Sequence, residues 1–368
     1  MFRWSRLVNV IFIFFILILC GCSQQVGKYG TVPAETRKDG IEQAVQPGAR
    51  QITIGLALGT LAEERWVNEK KYFEAEAAKF GARVVVQDAN MDENAQNTQI
   101  EDLISQNVDV LVIVPVNAET AAVSVAAAKK AGIPVLAYSR MIMNANVDAF
   151  IGFNSVAIGE MLAKAAVEKV PRGKYMIING SPVDNNARLE QEGYYNILKP
   201  YINKGDIKVV FEQWCDNWDP VKAMNAVESG LTQTKNNVDA VLVSNDGMAG
   251  GVVQALKAQK LDGKVFVTGT DGDLAALQRI AEGSQTATLL FPQQEFAEEC
   301  ARVAVSFANK LFPADATGKT FNGTKYVPTI FARAELVTKD NLYDVVIKSG
   351  LRKVEDVYKN VPVDKWPK

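Results

Sequence analysis

Ile52-Thr53-Ile54-Gly55-Leu56-Ala57-Leu58, then an amphipathic stretch over 64–80 closed by Gly81, form a unit that recurs along the chain. A short apolar run bounded by turn residues reads as a strand. An apolar stripe at helical spacing that stops at glycine reads as a helix. Further strands are predicted at 83–87, 110–114, 135–138, 175–178, 208–211, 240–243, 265–268 and 287–291. Helices such as 94–106, 118–131 and 247–259 are predicted between them. Most of these strands are apolar throughout, as strands buried on both faces are. Alternating strand and helix then implies parallel sheets with helices on both sides. The expected fold class is α/β. Nine strands divide most naturally into two sheets, hence two Rossmann-like lobes.

The chain has 368 residues, enough for about two domains at ~150 residues each. Its 40 Lys and Arg against 42 Asp and Glu leave a net charge of −2, which gives no footprint for nucleic acid. Histidine is absent. That excludes Ser-His-Asp and Cys-His nucleophile systems, His-ligated zinc and an imidazole general base. Asp88, Asn90 and Asp92 have the spacing that opens a calcium loop, but Glu93 stands where its glycine belongs and Gln99 where its bidentate glutamate belongs. Asp246-Gly247-Met248-Ala249-Gly250-Gly251 lacks the lysine of a phosphate loop and reads as close helix packing. Asp273 reads as a helix N-cap, with no second carboxylate poised opposite the Asp271/Asp273 pair. Neither an enzyme nor a cofactor nor a metal is expected.

At the N-terminus, Arg3 and Arg6 precede an apolar run over 7–19, broken only by Asn9. These 13 residues are too few to cross a hydrocarbon core of about 30 Å and suit a signal peptide. The run ends in Leu19-Cys20-Gly21-Cys22, which resembles the lipobox of bacterial lipoproteins, with Cys22 as the lipidated residue. Residues 1–21 are then a signal peptide and 22–49 a polar tether. The body is exported and lipid-anchored at a periplasmic or cell-surface membrane face. An uncleaved signal anchor is the alternative. Cys215 and Cys300 are expected to be unpaired, a long-range disulfide being the other option.

In parallel sheets ligands bind beyond the carboxyl ends of the strands. Those ends carry Arg65 and Trp66, Ser139 and Arg140, the string 181–186, Trp214 to Trp218, Ser244-Asn245-Asp246 and Thr270-Asp271. Asn and Asp exchange hydrogen bonds with hydroxyls, Arg supplies a fixed fork of donors, and Trp offers a flat apolar face. Together they suit a pyranose, whose faces are C–H and whose rim is O–H.

These strings resemble the D-xylose-binding branch of the ribose/galactose-type periplasmic sugar-binding family. The matching segments include Glu64-Arg65-Trp66, 136–142, 180–187, Gln213-Trp214, Trp218, Ser244-Asn245-Asp246 and 271–275, within a likeness that spans about 52–346. The resemblance implies a type I periplasmic binding protein: two lobes joined by a three-strand hinge, monomeric, closing on one monosaccharide. It implies Arg65 and Arg140 as donors and Trp66 as a wall beside them. Asp184 and Asn186 would reach from the second lobe, Trp218 would stack on the ring, and Asn245 and Asp271 would complete the hydroxyl network. Each has a plainer alternative: a surface ion pair for Arg65, a hinge salt bridge for Arg140, a turn residue in Asp184, lobe packing for Trp218. Two positions depart from the family pattern. Ser139 replaces an Asp before Arg140, and Phe291 replaces a Lys before Pro292. The resemblance therefore implies a less charged pocket, with weaker xylose binding or a shifted ligand. The implied partner is an ABC permease, or a membrane receptor or sensor kinase if the body reports sugar instead of delivering it. The lobes are expected at 50–152 with 293–325 and at 153–292 with 326–340, leaving 341–368 as a tail.

Overall fold

The computed structural model describes residues 50–311 and 316–367. The signal peptide, the tether and Cys22 lie outside the described residues. The first half runs β1 (Thr53–Leu58), α1 (Glu64–Lys79), β2 (Arg83–Asp88), α2 (Glu93–Ser105), β3 (Val110–Ile113), α3 (Ala122–Lys130), β4 (Val135–Ser139) and β5 (Ala149–Gly152). Next come α4 (Ser155–Lys169), β6 (Gly173–Asn179), α5 (Asn185–Lys204), β7 (Ile207–Trp214), α6 (Pro220–Thr234), β8 (Ala240–Val243) and α7 (Asp246–Ala258). The rest is β9 (Phe266–Val267), β10 (Thr270–Asp271), α8 (Leu274–Glu282), β11 (Ala287–Leu290), α9 (Gln293–Ala308), β12 (Gly318–Phe321), β13 (Tyr326–Phe331), β14 (Glu335–Thr338) and α10 (Val354–Val357).

One lobe holds a seven-stranded sheet in the order β12-β13-β5-β4-β3-β1-β2, parallel except for the β12–β13 hairpin. The other holds β7-β6-β8-β9, all parallel, and β10-β11-β14, in which β14 is antiparallel. Backbone bonds from Thr286 to Val267 (3.0 Å) and from Leu289 to Gly269 (3.1 Å) link the last two groups. The nine expected strands are all present, but fourteen form among the described residues. β5 was hidden by its closeness to β4. β12 is the edge strand and β13 lies between it and β5; exposed residues alternate with half-buried ones in β12 and with buried ones in β13, so no continuous apolar run marks them.

The chain crosses between lobes at Phe153, at Phe291-Pro292, and in 332–334 between β13 and β14. The last crossing corrects the expected boundary at 325/326, because β13 pairs with β5 in the first lobe. The tail is corrected too. Leu342, Val346, Val357 and Tyr358 are buried with Leu277, Ile280, Leu290 and Val337, so the described part of the tail, 341–367, completes the core of the second lobe. Its aliphatic residues are too widely spaced to announce an element.

Acidic and amide caps start the helices that follow the strand ends. Asp92 accepts from Asn94 N and Ala95 N, Asp184 from Asn186 N, Asp219 from Val221 N ahead of Pro220, and Asn245 from Met248 N. Each such cap is worth about 1 kcal/mol. Asp92 thus serves as the cap of α2. Glycines set the helix spacing. A Cβ on Gly251 would lie 2.1 Å from Pro220 O, so the glycine string after β8 does serve close packing of α7 on α6.

Helices α4 and α5 meet in the same way: a Cβ on Gly193 would sit 2.2 Å from Val156 O, and one on Gly159 2.1 Å from Glu190 O. Both neighbours are backbone and cannot rotate aside. Gly193→Ala is expected to cost about 1–3 kcal/mol as the helices part. A urea midpoint unchanged from the parent would contradict this packing.

Candidate ligand-binding site

All nine residues singled out from the strand ends, Arg65, Trp66, Ser139, Arg140, Asp184, Asn186, Trp218, Asn245 and Asp271, line one cavity between the lobes. Side chains fill most of it: the room left for water-sized molecules is about 40 Å³, so the lobes must part before a sugar can enter. Arg65 and Trp66 sit in the first turn of α1, and Ser139 and Arg140 end β4. Asp184 and Asn186 start α5, Trp218 lies in a turn after β7, Asn245 caps α7, and Asp271 ends β10.

The polar groups clasp each other across the cleft. Arg65 donates from Nε to Glu69 (2.6 Å), from Nη2 to Ser139 Oγ (2.8 Å), and from Nη1 to Asp271 of the other lobe (3.0 Å). Arg140 Nε stands 2.7 Å from Asp184 Oδ2, an ion pair not aligned as a hydrogen bond. Asn186 Nδ2 donates to Ser139 O (2.9 Å), and Ala118 N to Val183 O (3.0 Å). Arg65 does pair with a nearby Glu, but the pair is buried and not at a helix surface, and Asp184 does stand in the turn that opens α5. Both residues do that work while lining the cavity.

Aromatic rings make the walls. The Arg65 guanidinium lies 4.5 Å from the Trp66 ring, and Arg140 lies between Trp66 (5.5 Å) and Trp218 (5.9 Å). Trp218 rests on Gly180, where a Cβ would come within 2.3 Å of the indole. Phe291 stacks on Phe153 with ring centroids 4.0 Å apart, and both face Arg65. Backbone strain gathers here: Ser139 (φ 61°), Trp218 (φ 57°) and Asp271 (φ 112°) hold left-handed conformations that cost on the order of 1–3 kcal/mol each. Asp246 holds the Asp271 turn. Its Oδ2 accepts from Gly272 N, Asp273 N and Thr288 Oγ1, and its Oδ1 from Gln285.

Glu63, Phe153, Ser155, Ile158 and Glu190 also line the cavity and were not singled out from the sequence. Phe153 follows the unrecognised strand β5. Glu190 lies four residues after Asn186, hence on the same face of α5, and that spacing is the one signal that could have found it. The cavity gains two carboxyls that the expectation of a less charged pocket did not include. Ser139 and Phe291 stand where an acid and a base were expected, but Glu63 just before α1 and Glu190 in α5 bring further acidic groups to the lining.

Burial pushes the cavity carboxyls up. Glu63 is raised against the pull of Arg140 and Arg65. Glu190 is raised well above the ordinary value, by burial and then by the charges of Asp184 and Asp271. Asp271 reaches about 8, since burial outweighs the attraction of Arg65. Asp246 reaches about 6 by burial, and Asp273, at the N-cap position of α8, is raised well up by burial and its acidic neighbours. Asp273 makes no side-chain capping bond, so it holds the expected position without the expected hydrogen bond. Burial opposes the charge on Arg65, but Glu69 and Asp271 more than offset it and hold it charged. Cys215 and Cys300 are both free and buried.

Two α/β lobes with mostly parallel sheets, closed over a polar and aromatic cavity at their strand ends, define a type I periplasmic binding protein fold. The chain belongs to the periplasmic binding protein family, whose domain model matches residues 54–311. It is 44% identical over 310 residues to the D-xylose-binding periplasmic protein of Haemophilus influenzae, covering 84% of this chain and 93% of that one. The D-xylose-binding periplasmic protein of Escherichia coli is 45% identical over 310 residues, with the same coverage. Among solved structures, an ABC transporter solute binding protein from Clostridium phytofermentans with bound β-D-glucose superposes with a TM-score of 0.76. It is 27% identical, over 83% of this chain and 99% of that one. These relatives are binding proteins, and the chain is a binding protein and not an enzyme.

The raised Asp271 carboxyl fixes the sign of a pH effect. Its unfolded form ionises near the ordinary value of 3.8 and its folded form near 8, so its contribution to stability falls as pH rises between them. Asp271→Asn removes that loss. Its stability relative to the parent is expected to improve steadily from about pH 4 to about pH 8. Urea midpoints whose difference is flat across that window would refute the assignment.

Proposed function

We propose that the chain is an extracytoplasmic binding protein for a monosaccharide of the xylose class, and that it delivers the sugar to an ABC permease by closing its lobes on it. The make-up of the cavity carries this reading. Two indoles and two guanidiniums stand with carboxylates and amides from both lobes around one space. Five of the nine buried side-chain polar atoms without a hydrogen-bond partner among the described residues belong to its lining: Trp66, Asp184, Glu190, Trp218 and Thr270. Such atoms call for a polar ligand with an apolar face. Trp66 and Trp218 would meet the C–H faces of the ring. Arg65, Ser139, Arg140, Asp184, Asn186, Asn245 and Asp271 would meet its hydroxyls. The relatives named for D-xylose support a pentose.

Calorimetric titration with D-xylose is expected to show saturable one-to-one binding at micromolar strength, about −8 kcal/mol. Trp218→Ala is expected to weaken it at least about tenfold through the lost stacking surface. Silence for xylose, glucose, ribose, arabinose and galactose alike would overturn the proposal.

Lipid anchoring at Cys22 is the second part of this reading, supported by Leu19-Cys20-Gly21-Cys22 after an apolar run. A tethered carrier stays close to its permease, which raises its effective concentration there. Cells fed labelled palmitate are expected to label the protein, and Cys22→Ser to lose the label and leave the membrane fraction. A label that survives Cys22→Ser would refute the anchor.

A further inference from the structure

Two guanidiniums, Arg65 and Arg140, face four carboxylates across the cavity: Glu63, Asp184, Glu190 and Asp271. The cations are already engaged. Arg65 is shared by Glu69 and Asp271, and Arg140 pairs with Asp184. Glu190 has no cation within ion-pair distance among the described residues. It is 5% exposed, and its Oε2 has no hydrogen-bond partner. The nearby Ser244 hydroxyl also meets Tyr194 at 3.3 Å. The side chain cannot leave by a helix shift, because Gly159 of α4 presses on the Glu190 carbonyl. The Ser244 hydroxyl serves one oxygen, but the other meets no partner, and no cation of the described residues pairs with the group.

We propose that the ligand supplies it: the site takes a monosaccharide that carries an ammonium group, an amino sugar, with its nitrogen against Glu190. This rests on the reading of the cleft as a monosaccharide site and extends its ligands beyond the neutral pentose. Beside a neutral sugar burial holds the Glu190 carboxyl in its uncharged form, whereas a cation beside it favours the carboxylate. An ammonium keeps the pyranose shape for Trp66 and Trp218 and adds one positive charge and three donors. A charge-assisted bond from nitrogen to carboxylate in a closed cavity is stronger than a neutral one.

The test titrates the full chain in mild detergent at about pH 7, where an amine of the α-amino type is largely charged. D-glucosamine, D-galactosamine and D-mannosamine are each compared with the neutral parent hexose, and D-xylose serves as a neutral reference. At least one amino sugar is expected to bind about tenfold or more tightly than its parent. Glu190→Gln is expected to bring that ratio close to one, and Glu190→Asp, which keeps the charge, to retain part of it. The ratio in the unaltered chain is decisive even where a variant fails to fold. Amino sugars no tighter than their parents, or a preference that persists in Glu190→Gln, would overturn the inference. Binding of neutral sugars without such a preference overturns this inference alone. Silence for every sugar overturns it together with the monosaccharide reading.

Discussion

The guanidinium of Arg65 is the point on which the cleft turns. One side chain in the first turn of α1 donates to its own helix through Glu69, to the end of β4 through Ser139, and to the opposite lobe through Asp271. A buried cation is tolerated only when its donors are matched, and here three are. Removing any acceptor would leave a buried charge part-paired, so these acceptors constrain one another. Ser139 is held with φ 61° and Asp271 with φ 112°, conformations neither would adopt alone. Asp246 bears the second of these strains through four hydrogen bonds to the Asp271 turn and its neighbours.

The same network reaches the crossings between lobes. Glu69 accepts from Tyr138 Oη at 2.5 Å, and Tyr138 stacks on Phe296 with centroids 4.8 Å apart. Phe296 in turn meets Phe153, which stacks on Phe291. Phe153 and Phe291 lie in two of the three crossing segments, so ring packing at the crossings and the charge network of the cleft share Glu69 and Arg65. A lysine at 291 would have brought another charge into this ring stack. With phenylalanine there, Arg65 is left with ring faces and three acceptors.

Much of this was legible because parallel strands announce themselves. Val110 to Ile113 and Ala240 to Val243 are buried at every position, and such runs survive in the sequence as unbroken apolar strings. The rule that ligands bind beyond strand ends then picked nine residues that converge on one cavity. What was lost lay off those ends. Glu63 and Glu190 are charged residues in and before helices, where a surface position is the default. Only the approach of α4 to the Glu190 backbone, a consequence of Gly159 and Gly193, buries the second of them. β13 alternates exposed and buried residues, and Leu342 and Val346 are buried by packing from distant sequence. None of these leaves a local period to read.

Several groups that face the cavity are also the groups that start helices, and this explains how the cleft is ordered. Asp184 Oδ1 accepts from Asn186 N, and its Oδ2 turns toward Arg140. Asn245 Oδ1 accepts from Met248 N, and its Nδ2 takes no part in the cap. A side chain fixed by a cap has lost its rotamer freedom on folding, so little remains to be lost when a ligand arrives. Folding and recognition thus draw on opposite ends of the same side chains. The charge that recognition needs is then held in place by secondary structure, and not by the ligand. Glu190, fixed by helix packing instead of a cap, follows the same logic with one difference: its second oxygen meets no protein partner.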